Sequence, residues 1–89
     1  MSEELAQLLR GAVGEPLTLA NEFAEVQVRR VDTRNGSRLL ITAPRTGQWI
    51  SLDALEVEAL TRQNTRTLTT MVGNEGPLLP NPEDGDAQA

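Results

Sequence analysis

The strongest constraint on the fold is the dipeptide Asn35-Gly36, which separates two runs of alternating apolar residues. The first run occupies 26–31 and the second occupies 39–43. Both residues of the dipeptide tolerate a positive φ, and Asn-Gly between strand-like runs is typical of a hairpin turn. The chain is therefore predicted to form an antiparallel hairpin here.

In the run before this turn, the apolar residues change from even to odd positions. Because side chains alternate along a strand, Val26 and Val28 lie on one side, whereas Val31 lies on the other. A β-bulge adds one residue and would return Val31 to the side of the other two valines. We therefore predict a bulge at Arg29-Arg30.

The length of the turn decides which residues pair across the hairpin. A two-residue loop would set apolar residues opposite charged ones. A three-residue loop over 34–36, with its glycine in the left-handed region, sets Leu39 opposite Val31. With the bulge, Ile41 then lies opposite Val28. We favour this register because apolar residues pair with one another.

A second turn is predicted at 44–47, where Pro, Arg, Thr and Gly follow one another. Ile50 and Leu52 have the parity opposite to that of Ile41, so only an even-length loop puts all three on one face. A loop of four residues sets Ile41 opposite Ile50. Trp49 then points to the opposite face of the sheet.

Helix signals lie on both sides of the strand region. Ser2 can cap a short helix, which is either docked on the body or frayed; we favour the frayed state, since so short a helix is marginal alone. Asp53 and Glu56 have capping-box spacing, and Asn64 is a good N-cap for a further helix. A two-helix unit is therefore predicted at 53–72.

These signals predict a small α+β domain at 17–73, preceded by an N-terminal segment at 1–16 and followed by a Pro-rich, acidic, disordered tail at 74–89. The domain is a three- to four-stranded antiparallel meander followed by a two-helix C-terminal unit packed on one sheet face. Phe23 is expected to fill the core. The helices are expected to cover the apolar residues Val26, Val28, Val31, Leu39, Ile41, Ala43, Ile50 and Leu52.

The composition excludes most catalytic repertoires. The chain of 89 residues contains no His, Cys, Tyr or Lys, which removes the commonest general base, the thiol nucleophile and the soft metal ligands. No Gly-rich loop with the spacing of a dinucleotide site is present. We therefore predict a protein that is not an enzyme and that holds no cofactor and no metal.

The charge and hydropathy patterns restrict the partners. The formal net charge is −5 and the isoelectric point is about 4.6, which disfavours nucleic acid. No apolar run approaches the roughly 18 residues of a membrane span, and the acidic N-terminus does not resemble a signal peptide. A cytoplasmic protein without membrane contact is expected, whose partner is another protein or a second copy.

The face that carries Trp49 is the predicted interaction surface. An exposed Trp beside a rigid proline and a bidentate cation is typical of an interface hot spot. The alternative is that the N-terminal segment, with its three leucines, folds over this Trp and hides it. The residues assigned to the surface are Trp49, Pro44, Arg45, Arg29, Arg30 and Arg38.

Two alternatives apply to the remaining charged residues. The arginines of the hairpins suit weak binding of anions or nucleic acid, or they form solvated pairs with acids across the sheet, which we favour. The carboxylates Asp53, Glu56 and Glu58 suit a hard metal ion or, as we favour, the cap and dipole of one helix.

Several stretches within residues 17–72 carry a family resemblance: Leu17-Thr18-Leu19-Ala20-Asn21-Glu22-Phe23-Ala24, Val28-Arg29-Arg30-Val31, Thr33-Arg34-Asn35-Gly36, Ala43-Pro44-Arg45-Thr46-Gly47 and Leu52-Asp53-Ala54-Leu55-Glu56. They resemble small actinobacterial proteins labelled dihydrodiol dehydrogenase. The chain departs from that group at Arg62, where the group has Trp, and at Thr65-Arg66, where it has Pro-Glu. The resemblance implies a small companion of a separate oxidoreductase subunit, and it carries over no site residue.

Three functions are compatible with these features, in order of preference. The first is a non-enzymatic accessory or protein-interaction module. The second, implied by the resemblance, is the companion subunit of an oxidoreductase system. The third is weak anion or nucleic-acid binding through the Arg-rich hairpins.

Overall fold

The computed structural model describes residues 2–79. In chain order the helices and strands are α1 (Glu3–Arg10), β1 (Ala12–Ala20), β2 (Glu25–Thr33), β3 (Gly36–Ala43), β4 (Gln48–Leu52), α2 (Ala54–Leu60) and α3 (Thr65–Val72). The strands form a four-stranded antiparallel sheet in the order β1-β2-β3-β4. The α+β meander predicted from the sequence is confirmed. Within residues 2–79, every helix is too short to cross a membrane.

The β2–β3 hairpin differs from the predicted one in its turn. Thr33 pairs with Gly36, so the loop is the two residues Arg34-Asn35. Gly36 has a φ of 118°, a conformation that favours glycine, and it opens β3. The three-residue loop was therefore wrong, although an Asn-Gly hairpin does form at this place.

The predicted bulge at Arg29-Arg30 is absent, because β2 pairs continuously with β3. Ile41 lies opposite Val28, as predicted, but Leu39 lies opposite Arg30 and not opposite Val31. The shorter loop shifts the register by the one residue that the bulge was invoked to supply. Regular pairing is the simpler solution, since every backbone group keeps its partner.

Val31 therefore lies on the sheet face opposite to Val28, and this corrects its assignment to the Val28 face. Val31 and Leu40 share this second face and are both 0% exposed. They are the buried side chains among residues 2–79. The parity change that suggested a bulge therefore has another cause: Val31 is buried on the opposite face of the sheet from Val28.

The helix α1 packs against β2, so the preferred frayed state is wrong. The hydroxyl oxygen of Ser2 accepts a hydrogen bond from the amide of Leu5 at 3.0 Å and begins the helix. At its other end, the carbonyl of Gly11 accepts from the amide of Asp32 at 2.8 Å. The chain thus passes from the helix directly into the sheet, and this connection holds α1 over Val31.

The strand β1 extends further than the predicted 17–19. It begins at Ala12, and the predicted boundary between residues 16 and 17 falls inside it. The register with β2 shifts between Val13 and Leu17, where Gly14 has a φ of 73°. This irregularity lets a segment with Gly and Pro remain part of an edge strand.

The β3–β4 hairpin confirms the four-residue loop. Ala43 pairs with Gln48, Ile41 pairs with Ile50, and Trp49 lies opposite Thr42. Trp49 therefore lies on the face that also carries Leu40, opposite to the face of Ile50. The parity argument placed this residue correctly.

The C-terminal helices begin at the predicted caps. Asp53 accepts from the amide of Glu56 at 2.8 Å, and the Glu56 carboxylate accepts from the amide of Asp53 at 2.9 Å. Asn64 accepts from the amide of Thr67 at 3.0 Å. Of residues 74–79, none belongs to a helix or strand, and the rest of the predicted tail lies outside the described residues.

The helices do not cover the apolar face as expected. The helix α2 contacts β3 and β4, and Val57 lies near Leu39 and Leu52 at one end of the sheet. Leu17 and Ile50, further along the same face, are 61% and 53% exposed. Seven residues of α2 span only about 10 Å, which is too little to reach the whole face.

Candidate functional site

A groove on the Trp49 face separates α1 from β4. It has a volume of about 760 Å³ and is open to solvent. The Trp49 groove is lined by Glu4, Gln7, Leu8, Asp32, Thr33, Arg34, Arg38, Trp49, Ile50 and Ser51. One wall is therefore a helix whose position the sequence left open, and the other is an edge strand.

Trp49 is half-buried in this groove. It lies on the same face as Val31 and Leu40, which α1 covers, and Leu8 of that helix lines the groove with it. The helix α1 therefore lies beside Trp49, which partly matches the alternative in which the N-terminal segment folds over this residue. The indole keeps an accessible part, because a groove and not a packed contact lies between the two elements.

Arg38 connects three elements beside the groove. Its Nε donates to the Ser51 hydroxyl at 2.6 Å, and its Nη2 donates to the Ser51 carbonyl at 3.1 Å. The same Nη2 lies 3.9 Å from the Glu56 carboxylate. These contacts join β3 to β4 and to the first turn of α2, so this guanidinium is occupied within the chain.

Arg30 and Asp32 form an ion pair on the opposite face from Arg38. The Nε of Arg30 donates to Asp32 at 3.0 Å, and the Ser37 hydroxyl donates to the same carboxylate at 2.9 Å. Hydrogen bonds from Arg30 first and Ser37 second lower the pKa of Asp32 below its ordinary value. Both side chains are largely exposed, so the pair contributes little to stability.

The six residues predicted as one interaction surface are divided between the two faces. Arg29 pairs with Leu40 and shares the Trp49 face, whereas Arg30 lies on the other face. Pro44 and Arg45 are exposed in the β3–β4 turn, outside the residues that line the groove. The sheet therefore brings Arg38 to the groove with Trp49, leaves Arg29 on the same face outside the groove lining, and puts Arg30 on the opposite face.

A second candidate surface is the apolar sheet face away from α1. We call it the open face and define it by the residues Leu17, Leu19, Val26, Val28, Ile41 and Ile50. Three of its side chains are more than half exposed, and three are half-buried by their neighbours in the sheet. Contiguous apolar surface of this kind is rare on monomers and marks interaction sites.

Phe23 lies at the turn that joins β1 to β2, and it is 82% exposed. Its expected place in the core is therefore wrong. The side chain of Asn21 accepts from the amides of Phe23 and Ala24 at 2.8 and 2.9 Å and shapes this turn. The Asn residue is the sequence signal that could have placed the aromatic ring at a loop.

The carboxylates at the start of α2 do not form a ligand site. Asp53 and Glu56 are used by the capping box, and Glu58 lies 3.4 Å from Arg62 one turn later. Within residues 2–79, no group of three or more acidic residues is arranged to hold a metal ion. The capping interpretation of these residues agrees with the observed hydrogen bonds.

No family model, no curated protein and no solved structure matches this chain. The resemblance to the actinobacterial group therefore stays a prediction. Function has to be inferred from the chain's own two candidate surfaces, the Trp49 groove and the open face.

Proposed function

We propose that this chain is a non-enzymatic protein-interaction module that binds its partner through the open face. The observation that carries this proposal is an apolar sheet face that, within residues 2–79, only α2 reaches, and only at its Leu39 and Leu52 end. Domains are built from packed layers, because apolar sheet surface is more stable when it is buried against another element. A partner supplies such a layer over the part of the face that α2 leaves exposed.

The distribution of buried residues supports the same proposal. Val31 and Leu40 are fully buried, whereas the six residues of the open face are exposed or half-buried. Each apolar side chain moved from water into a contact contributes roughly 1.5–3 kcal/mol at full burial. Part of this contribution is still available at the open face, where Leu17, Leu19 and Ile50 are more than half exposed.

The arginines favour this function over anion or nucleic-acid binding. Arg30 is paired with Asp32, and Arg38 is bonded to Ser51. A phosphate at Arg30 or Arg38 would have to replace these partners, and the net charge of −5 opposes its approach to the other hairpin arginines, Arg29, Arg34 and Arg45. An apolar contact requires neither change.

The proposal is tested by placing a charge on the open face. Leu19→Asp is expected to leave the melting temperature of the dilute chain within a few degrees, because Leu19 is 56% exposed there. Thr18→Asp, on the other face of the same strand, is the matched control. Thermal unfolding followed by circular dichroism measures both variants.

A Leu19→Asp variant that unfolds in dilute solution while Thr18→Asp remains folded would contradict the proposal. That result would mean that the face belongs to the interior of the isolated chain. A second measurement is broadening of the Leu17 and Leu19 methyl signals by a soluble paramagnetic probe. Those methyls are expected to broaden strongly, and those of Leu40 are expected to stay sharp.

A further inference from the structure

We infer that the partner covering the open face is a second copy of this chain, packed sheet against sheet in a two-fold dimer. This inference rests on the proposed function, since it names the occupant of the same face. Three properties of the face lead to it: its charge, its area and its shape.

The charge of the face suits its own copy. Its six defining residues are all uncharged, although the whole chain carries a net charge of −5. Arg30 lies beyond them, at the end near α2, and is neutralised by Asp32. Two such faces meet without like-charge repulsion, and neither offers a charged partner anything to recognise.

The area of the face suits a weak dimer. The four strands, spaced about 4.8 Å apart with a rise of about 3.3 Å per residue, make a plane of roughly 500 Å², and α2 covers its Leu39 and Leu52 end. Two such planes therefore meet over less than about 1,000 Å², in the range of weak interfaces that dissociate on dilution. The exposed ring of Phe23, beside the β1–β2 end of the face, extends this area with an aromatic anchor.

The shape of the face and its constant exposure also favour a second copy. Antiparallel sheets pack face to face about 10 Å apart with their side chains interdigitated, and a two-fold axis matches each strand to its equivalent. A second copy is the partner that is always present in equal amount.

The test is sedimentation velocity of the full chain over a dilution series, with Leu17→Glu as the disrupting variant. The wild type is expected to sediment as a dimer that dissociates on dilution. Leu17→Glu is expected to raise the dissociation constant by about 100-fold or more, because each substitution enters a two-fold interface twice. Thr18→Glu, on the other face of the same strand, is the matched control and is expected to remain dimeric.

A wild type that sediments as a monomer at the highest concentration overturns the second-copy inference. The proposed function then survives only if Leu19→Asp is tolerated in dilute solution, so the two failures are distinguishable. A dimer that Leu17→Glu leaves intact also overturns the inference. If Leu17→Glu fails to fold, the deciding experiment is an isotope-filtered NOE measurement on a mixed-label wild-type sample. NOEs between the Ile41 and Leu17 methyls of different copies support the dimer. Intermolecular NOEs to Trp49 overturn it.

Discussion

The two faces of the sheet differ both in the number of apolar residues they carry and in their coverage by helices. The face with Val31 and Leu40 is covered by α1, and both side chains are fully buried. The open face has the longer apolar stripe, yet α2 contacts only its Leu39 and Leu52 end. The number of apolar residues on a face therefore does not predict which face the chain covers.

Chain connectivity explains the difference. The helix α1 is joined to β1 through Gly11 alone, so it folds directly onto the adjacent sheet. The helix α2 follows β4 at an edge, and its capping box directs a short segment along that edge. Coverage follows the place where a helix enters the sheet, and the apolar stripe left over is the open face.

The largest expected effect compares a leucine from each face. Leu40→Ala is expected to lower the free energy of unfolding by about 2–5 kcal/mol, because it leaves a cavity at a fully buried position. Leu17→Ala is expected to lower it by less than about 0.5 kcal/mol in solutions dilute enough to be monomeric. Urea unfolding of both variants measures the difference, and equal losses would break the contrast between the faces.

The next effect concerns the attachment of α1. Gly11→Ala adds a Cβ that overlaps the carbonyl oxygen of Asp32, and the backbone must shift to relieve it. We expect a loss of about 1–3 kcal/mol in the free energy of unfolding and a red shift of Trp49 fluorescence as α1 loosens. Gly76→Ala, with nothing within 4 Å, is the control. An unchanged emission spectrum would show that the environment of Trp49 does not depend on the position of α1.

A smaller effect is expected at the turn that sets the register of both faces. Gly36 has a φ of 118°, so Gly36→Ala is expected to cost about 1 kcal/mol through backbone strain, although the space around it is free. Gly73→Ala, where φ is −76°, is the control and is expected to be neutral. A melting temperature that falls equally in both variants would argue against strain at the turn.

The smallest effect is at the margin of the open face and depends on pH. The pKa of Asp32 is lowered in the folded chain, so its pairing stabilises the fold above the ordinary carboxyl value of 3.8 and is lost as the pH falls through the lowered value. Asp32→Asn is expected to flatten the dependence of unfolding free energy on pH below about 4. If the unfolding free energy of Asp32→Asn depends on pH as steeply as that of the wild type in this range, the ion pair contributes nothing to stability.

The local features of the fold could be predicted from short stretches of sequence. The caps at Asp53 and Asn64 were predicted correctly, because a side chain and a backbone amide three residues later decide them. The four-residue loop between β3 and β4 followed from parity alone. The register at Val31 was not predicted, because both a bulge and a shorter loop satisfy the same pairing of Ile41 with Val28.

The candidate surface could be predicted only in part. Parity placed Trp49 and Arg38 on one face, and the structure brings both to one groove. The same argument assumed that the C-terminal helices cover the opposite face, and there it was wrong. Phe23 was missed because a lone aromatic residue suggests a core, whereas the turn at Asn21 decides its exposure.

The sequence by itself determined the strands, their turns and the two sides of each strand, since alternation and turn chemistry act over a few residues. Only the tertiary structure decided which side is covered. That choice depends on where α1 enters the sheet and on how far α2 reaches, and these distances join residues far apart in the chain. Val31 illustrates both contributions: its parity was visible in the sequence, and its burial depends on α1, which precedes the sheet in the chain and packs against β2.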